Sequence, residues 1–89
     1  MKVRVRLFAV AREVVGAEFV EVDVEAPPDA NKEPTATVAE LRRAFLAQAP
    51  TLAFAAKQLL FAVDGDYATD ATRLTAASEV ACIPPVSGG

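Results

Sequence analysis

The chain closes on Pro84-Pro85-Val86-Ser87-Gly88-Gly89, directly after the apolar run Val80-Ala81-Cys82-Ile83. The group of this stretch expected to react is the carboxyl of Gly89. Prolines cannot donate ladder hydrogen bonds, so Pro84 and Pro85 end a strand and hold the chain extended. Gly88 and Gly89 carry no Cβ and can enter a channel too narrow for other residues. Six extended residues reach about 20 Å. A carboxylate on so slim a tether can be delivered deep into another protein's active site. Adenylation by ATP turns it into a mixed anhydride with a good leaving group. A sulfur nucleophile that displaces AMP then leaves a thiocarboxylate, whose ionised sulfur is soft and nucleophilic. In that chemistry the tail supplies the handle and other proteins supply the catalysis.

No rival site stands out in the rest of the chain. There is no histidine, so the commonest general base and metal ligand are missing. Cys82 is the single cysteine. It is either a nucleophile or a small buried hydrophobe, and its neighbours Ala81 and Ile83 favour burial. Asp64, Asp66 and Asp70 gather near a turn but lack calcium-loop spacing. Asp64-Gly65 reads as turn chemistry. Gly65 has no glycine-rich phosphate loop around it. No metal site and no internal catalytic site are expected.

The elements that position the tail follow from periodicity. Lys2 to Leu7 alternates: Val3, Val5 and Leu7 face one way, Lys2, Arg4 and Arg6 the other. Phe8 to Val10 is read as an extension of this strand. Ala11 to Gly16 suits one helical turn closed by Gly16. Phe19 to Glu25 alternates again, with Val20, Val22 and Val24 against Glu21, Asp23 and Glu25. The two strands should pair antiparallel, basic outer face beside acidic, and cross-strand charge pairs should help set the register. Ala26 to Ala36 is a loop with three of the six prolines.

Thr37-Val38-Ala39-Glu40 is a capping box, and a helix follows through Ala49 with Val38, Leu41, Phe45 and Ala49 on one stripe. Pro50 ends it, and Thr51 can cap a short helix from Leu52 to Lys57. Leu59 to Val63 reads as a buried strand. Asp64-Gly65 turns it toward a brief edge strand, Asp66 to Ala68. Thr69 to Ser78 reads as irregular, anchored by Leu74. Glu79 to Ile83 is apolar on both faces, which places it mid-sheet. It should run parallel to the first strand, because the crossover between them carries the helix. The result is one α+β domain over residues 1–83, a mixed sheet with a helix on one face, and a free tail over 84–89.

The totals agree with this size and class. The chain has 89 residues, 53% hydrophobic, and a net charge of −3. That apolar share leaves surface for a partner. The acidic balance argues against nucleic acid and against anionic membranes as partners. A lone cysteine suits a reducing, cytoplasmic setting. No secretory leader or spanning segment is expected.

"LFAVAREVVG" (Leu7 to Gly16), "LLFAVDGDYA" (Leu59 to Ala68) and "EVACIPPVSGG" (Glu79 to Gly89) together resemble the small subunits of molybdopterin synthase. Those belong to the ubiquitin-like sulfur carriers, which have a β-grasp fold. The resemblance implies a sheet of strand order 2-1-5-3-4. It implies that Gly89 is adenylated and converted to the thiocarboxylate. Gly88 and Ser87 would thread into a large subunit's active site, and Pro84, Pro85 and Val86 would set the exit direction. The large subunit would use the sulfur to build the dithiolene of molybdopterin from a cyclic pyranopterin monophosphate. An adenylating enzyme related to ubiquitin activators would reload the carrier, consuming ATP, with no cofactor bound to the carrier itself. The implied assembly is a heterotetramer with a small subunit at each end. The alternatives are a carrier for another sulfur pathway, such as thiamine thiazole formation, and a covalent protein modifier. Partner-contact candidates near the tail are Phe8, Leu59 and Phe61.

Overall fold

The structure is a computed structural model that describes residues 1–25, 34–55 and 58–84. Strand β1, Lys2–Leu7, buries Val3, Val5 and Leu7 and exposes Lys2, Arg4 and Arg6, the alternation its sequence dictates. Strand β2, Phe19–Asp23, pairs with it antiparallel, with Lys2 opposite Asp23 and Arg4 opposite Glu21. The expected charge pairing across these positions does not form. Instead the Arg4 guanidinium lies 3.9 Å from the ring centroid of Phe19, the diagonal neighbour. The ion pair recorded at this end of the hairpin is Arg6–Glu18, 3.6 Å apart and half exposed on both sides. A weakly hydrated guanidinium is stabilised as much by covering an aromatic ring as by a solvated carboxylate.

The step out of β1 also departs from the alternation. Phe8 is not a strand extension; it is the N-cap of helix α1, Ala9–Val15. Ala9 takes φ +51°, a left-handed value that turns the chain sharply out of the sheet. Gly16 closes α1 at φ +78° and donates its N–H to the Arg12 carbonyl, as its residue type predicts.

Strand β3, Ala36–Thr37, leads into helix α2, Val38–Gln48. The capping box is complete. The Thr37 hydroxyl accepts from the Glu40 amide at 3.3 Å, and the Glu40 carboxylate accepts from the Thr37 amide at 3.1 Å. Val38, Leu41 and Phe45 are fully buried. After α2, a 3-10 helix spans Pro50–Ala55, starting before the expected Leu52, while residues 56 and 57 lie outside the described ones. Pro50 suits a first helical position, and the Leu52 amide reaches back only three residues, to the Ala49 carbonyl at 3.0 Å.

Strand β4 is Leu60–Val63 and β5 is Asp66–Tyr67. Asp64 and Gly65 join them at φ +52° and +88°, the paired positive values of a tight hairpin turn. Strand β6, Arg73–Leu74, pairs with β3 in a separate two-stranded ladder, within a segment read as irregular. Leu74 is buried, as expected of an anchor. Of the Ala26 to Ala36 loop, residues 26–33 lie outside the described ones, and Ala36 belongs to β3.

Strand β7, Val80–Ile83, lies mid-sheet, parallel to β1 and antiparallel to β4. The sheet order is β2-β1-β7-β4-β5. Numbered as the five strands expected from sequence, this is 2-1-5-3-4, the β-grasp arrangement. The core lies on one side: Val3, Val5, Leu7, Phe61, Val63, Val80 and Cys82 from the strands meet Leu41 and Phe45 from α2. Phe45 and Phe61 meet edge to face, centroids 5.8 Å apart and planes at 89°.

Candidate functional site

The tail leaves from the middle of the sheet. β7 is flanked on both sides, so its C-terminal end is held by two ladders. On the β1 side the Phe8 amide donates to the Cys82 carbonyl at 3.3 Å. On the β4 side Ile83 stands opposite Leu60. Pro84 follows and is buried. Gly89, the expected site of adenylation and thiocarboxylate formation, lies outside the described residues, as do Pro85, Val86, Ser87 and Gly88. The described part of the site is therefore the root of the tail and the sheet face around it.

That face carries an apolar band. Phe61 and Val63 point to the core, so Leu60 and Ala62 point outward. The register sets Ala62 between Ala81 and Tyr67, and Leu60 beside Ile83. Tyr67 is 74% exposed, Leu60 49% and Phe8 39%. The Arg6 guanidinium lies 5.2 Å from the Phe8 ring centroid, which holds that ring on the outer face next to a cation. Aromatic and aliphatic side chains rimmed by an arginine have the composition of a protein-binding surface.

Of the three contact candidates near the tail, Phe8 is exposed, whereas Leu59 and Phe61 are each only 1% exposed and belong to the core. Their neighbours Leu60 and Tyr67 take their place. A strict period-two reading would have found Leu60, but an apolar residue on both faces of β4 hides the alternation.

The other candidate residues are engaged in structure. Cys82 is fully buried, and burial pushes its thiol up to about 11, partly opposed by the charge of Arg42. A protonated, enclosed thiol is neither a nucleophile nor a metal ligand at neutral pH. Asp64 accepts the Glu79 amide at 2.9 Å and donates its own amide to the Glu79 carbonyl at 2.8 Å, which ties the hairpin to the start of β7. Asp70 pairs with Arg42 at 3.2 Å. Arg42 also donates to the Leu59 carbonyl at 2.6 Å and lies 5.1 Å from the Phe61 ring centroid. No group of acidic, cysteine or histidine residues among the described ones could hold a metal ion, and no helix among them is long and apolar enough to cross a membrane.

A sequence model described as the ThiS family matches residues 5–89, which takes in all of the sheet but the start of β1, and the tail. The chain belongs to the ThiS family. A curated relative from Caenorhabditis briggsae, named a molybdopterin synthase sulfur carrier subunit, is 37% identical over 91 residues, covering 100% of this chain and 99% of its own length. Among solved structures, the chain is similar to SAMP1 from Haloferax volcanii. That match has 27% identity, a TM-score of 0.75 and full coverage of both chains. A putative molybdopterin converting factor subunit 1 from Pyrococcus furiosus shares the fold at 22% identity and a TM-score of 0.72, over 97% of this chain and 99% of its own. ThiS-family membership thus accompanies a β-grasp body whose central strand runs into the glycine tail.

Proposed function

We propose that this chain is the sulfur carrier subunit of a molybdopterin synthase, acting in the cytoplasm. The observation that carries the reading is the placement of the tail. It continues a strand locked between two neighbours, begins at a buried proline, and leaves beside an exposed apolar band. The 37% identity to a relative of that name supports the choice of pathway.

In this reading the sheet supplies a fixed base and the outer band supplies adhesion. Phe8, Leu60, Tyr67 and Ile83 seat a partner, and Pro84 holds the start of the tail so that Ser87, Gly88 and Gly89 enter the partner's channel. An adenylating enzyme transfers AMP from ATP to the Gly89 carboxylate, and pyrophosphate leaves. Sulfur then displaces AMP. A large subunit, two of them in a heterotetramer with a carrier at each end, takes the sulfur into the dithiolene of molybdopterin. The carrier's own residues bind and orient, and its partners supply the catalysis.

Two measurements test this. Intact-mass spectrometry of the protein from cells should find a fraction heavier by the difference between one sulfur and one oxygen. Thiocarboxylated protein mixed with the large subunit should convert cyclic pyranopterin monophosphate to molybdopterin. Failure of the second with success of the first would move the carrier to another sulfur pathway. A ladder of isopeptide-linked conjugates in cells would instead favour a covalent modifier.

A further inference from the structure

An open sheet has two edges. β5 presents only two residues and is too short to template another strand. β2 presents five. The bonding pattern shows which of its backbone groups face outward. The Met1 ammonium donates to the Val24 carbonyl, the Val24 amide donates to the Met1 carbonyl, and the Leu7 amide donates to the Glu18 carbonyl, so in this register the even-numbered residues of β2 spend their backbone groups on β1. By alternation, Phe19, Glu21 and Asp23 turn theirs away from the sheet. Such a row invites pairing with another chain.

Gln48, the last residue of α2, occupies part of that row. Its Nε2 donates to the Glu21 carbonyl at 2.9 Å, and its Oε1 accepts from the Asp23 amide at 3.1 Å. These are the two groups that flank Val22. One residue of a parallel neighbouring strand would engage the same pair, its N–H donating to the carbonyl and its C=O accepting from the amide. The side-chain amide carries both in one plane, so it stands in for one residue of a sixth strand. Both bonds lie at the protein surface, where each contributes little to stability. Their geometry serves occupancy of the edge better than it serves the fold.

We propose that Gln48 keeps the β2 edge from pairing with a second copy of this chain. The full chain is tested by sedimentation velocity across a concentration series, with amide exchange read at Phe19, Glu21 and Asp23. Wild type stays monomeric. Gln48→Ala and Gln48→Met, the second a good helix former of similar length, shift the weight-average mass toward about two-fold as concentration rises. In dilute solution the Asp23 amide exchanges faster in both variants, and on association the Phe19, Glu21 and Asp23 amides become protected. Thr37→Ala, which weakens the same helix at its other end, remains a monomer. Monomeric behaviour of both Gln48 variants overturns the proposal. So does equal association of Thr37→Ala, association that leaves the β2 amides unprotected, or wild type already paired through β2.

Discussion

The Phe8 amide bonds to the Cys82 carbonyl, the last rung between β1 and β7 before the chain reaches Pro84. The same residue therefore pins the root of the tail with its backbone and offers its ring to a partner. Replacing the ring leaves the rung in place. Phe8→Asp and Leu60→Asp should each weaken binding to the large subunit by roughly 2 kcal/mol or more, about 30-fold in Kd, with thermal stability close to wild type. Calorimetric titration checks this, and unchanged affinity in both would remove the outer band from the interface.

Leu60 and Phe61 are adjacent in sequence and opposite in consequence. Phe61 is enclosed, edge-on to Phe45, under the Arg42 guanidinium. Phe61→Ala should cost about 3–5 kcal/mol in urea denaturation. Leu60→Ala, on the exposed side of the same strand, should stay within about 1 kcal/mol. Comparable losses would mean that β4 is turned over.

The capping box should report on acid. Hydrogen bonds from the Thr37 backbone, then its side chain, hold the Glu40 carboxyl below its ordinary range. A carboxyl depressed in the folded state adds stability above its unfolded pKa and loses it as pH falls through the folded one. Thr37→Ala should cost about 1 kcal/mol at neutral pH. The difference from wild type should shrink as the solution is acidified through the carboxylate range. A gap independent of pH would show that Glu40 does not act through the cap.

Cys82 should resist alkylation in the native protein and react at once in denaturant. Its thiol is raised to about 11 by burial, so it favours the folded state fully below the ordinary thiol pKa, and that contribution is lost as pH rises through the folded value. Cys82→Ala should therefore lose less stability than wild type between pH 9 and 11, ranges set by the ordinary and raised values. Rapid labelling of native protein by a maleimide would contradict the enclosed position.

In the proposed reading, Gly88→Ala should fold as wild type does and transfer sulfur poorly, because one methyl group is added to a tail proposed to thread a partner's channel. Circular dichroism reads the first outcome and single-turnover sulfur transfer the second. Wild-type turnover would end the argument from fit.

Much of this protein is written in short-range pattern. Alternation from Lys2 to Leu7 and from Phe19 to Asp23, the Thr37–Glu40 box, the stripe Val38-Leu41-Phe45 and the Asp64-Gly65 turn each follow from sterics within a few residues. The glycine tail is legible in the same way, since it is a matter of residue type alone. Tertiary structure decided the rest. The β3–β6 ladder joins Ala36 to Leu74, and no local period announces a pair that short and that distant. The inward side of β4 was settled by packing against Phe45, because Leu60 to Val63 is apolar on both faces. Arg4 chose Phe19 over Glu21, and Gln48 reached a strand 25 residues back to meet Asp23, because side-chain partners on a surface are set by what the fold brings within reach.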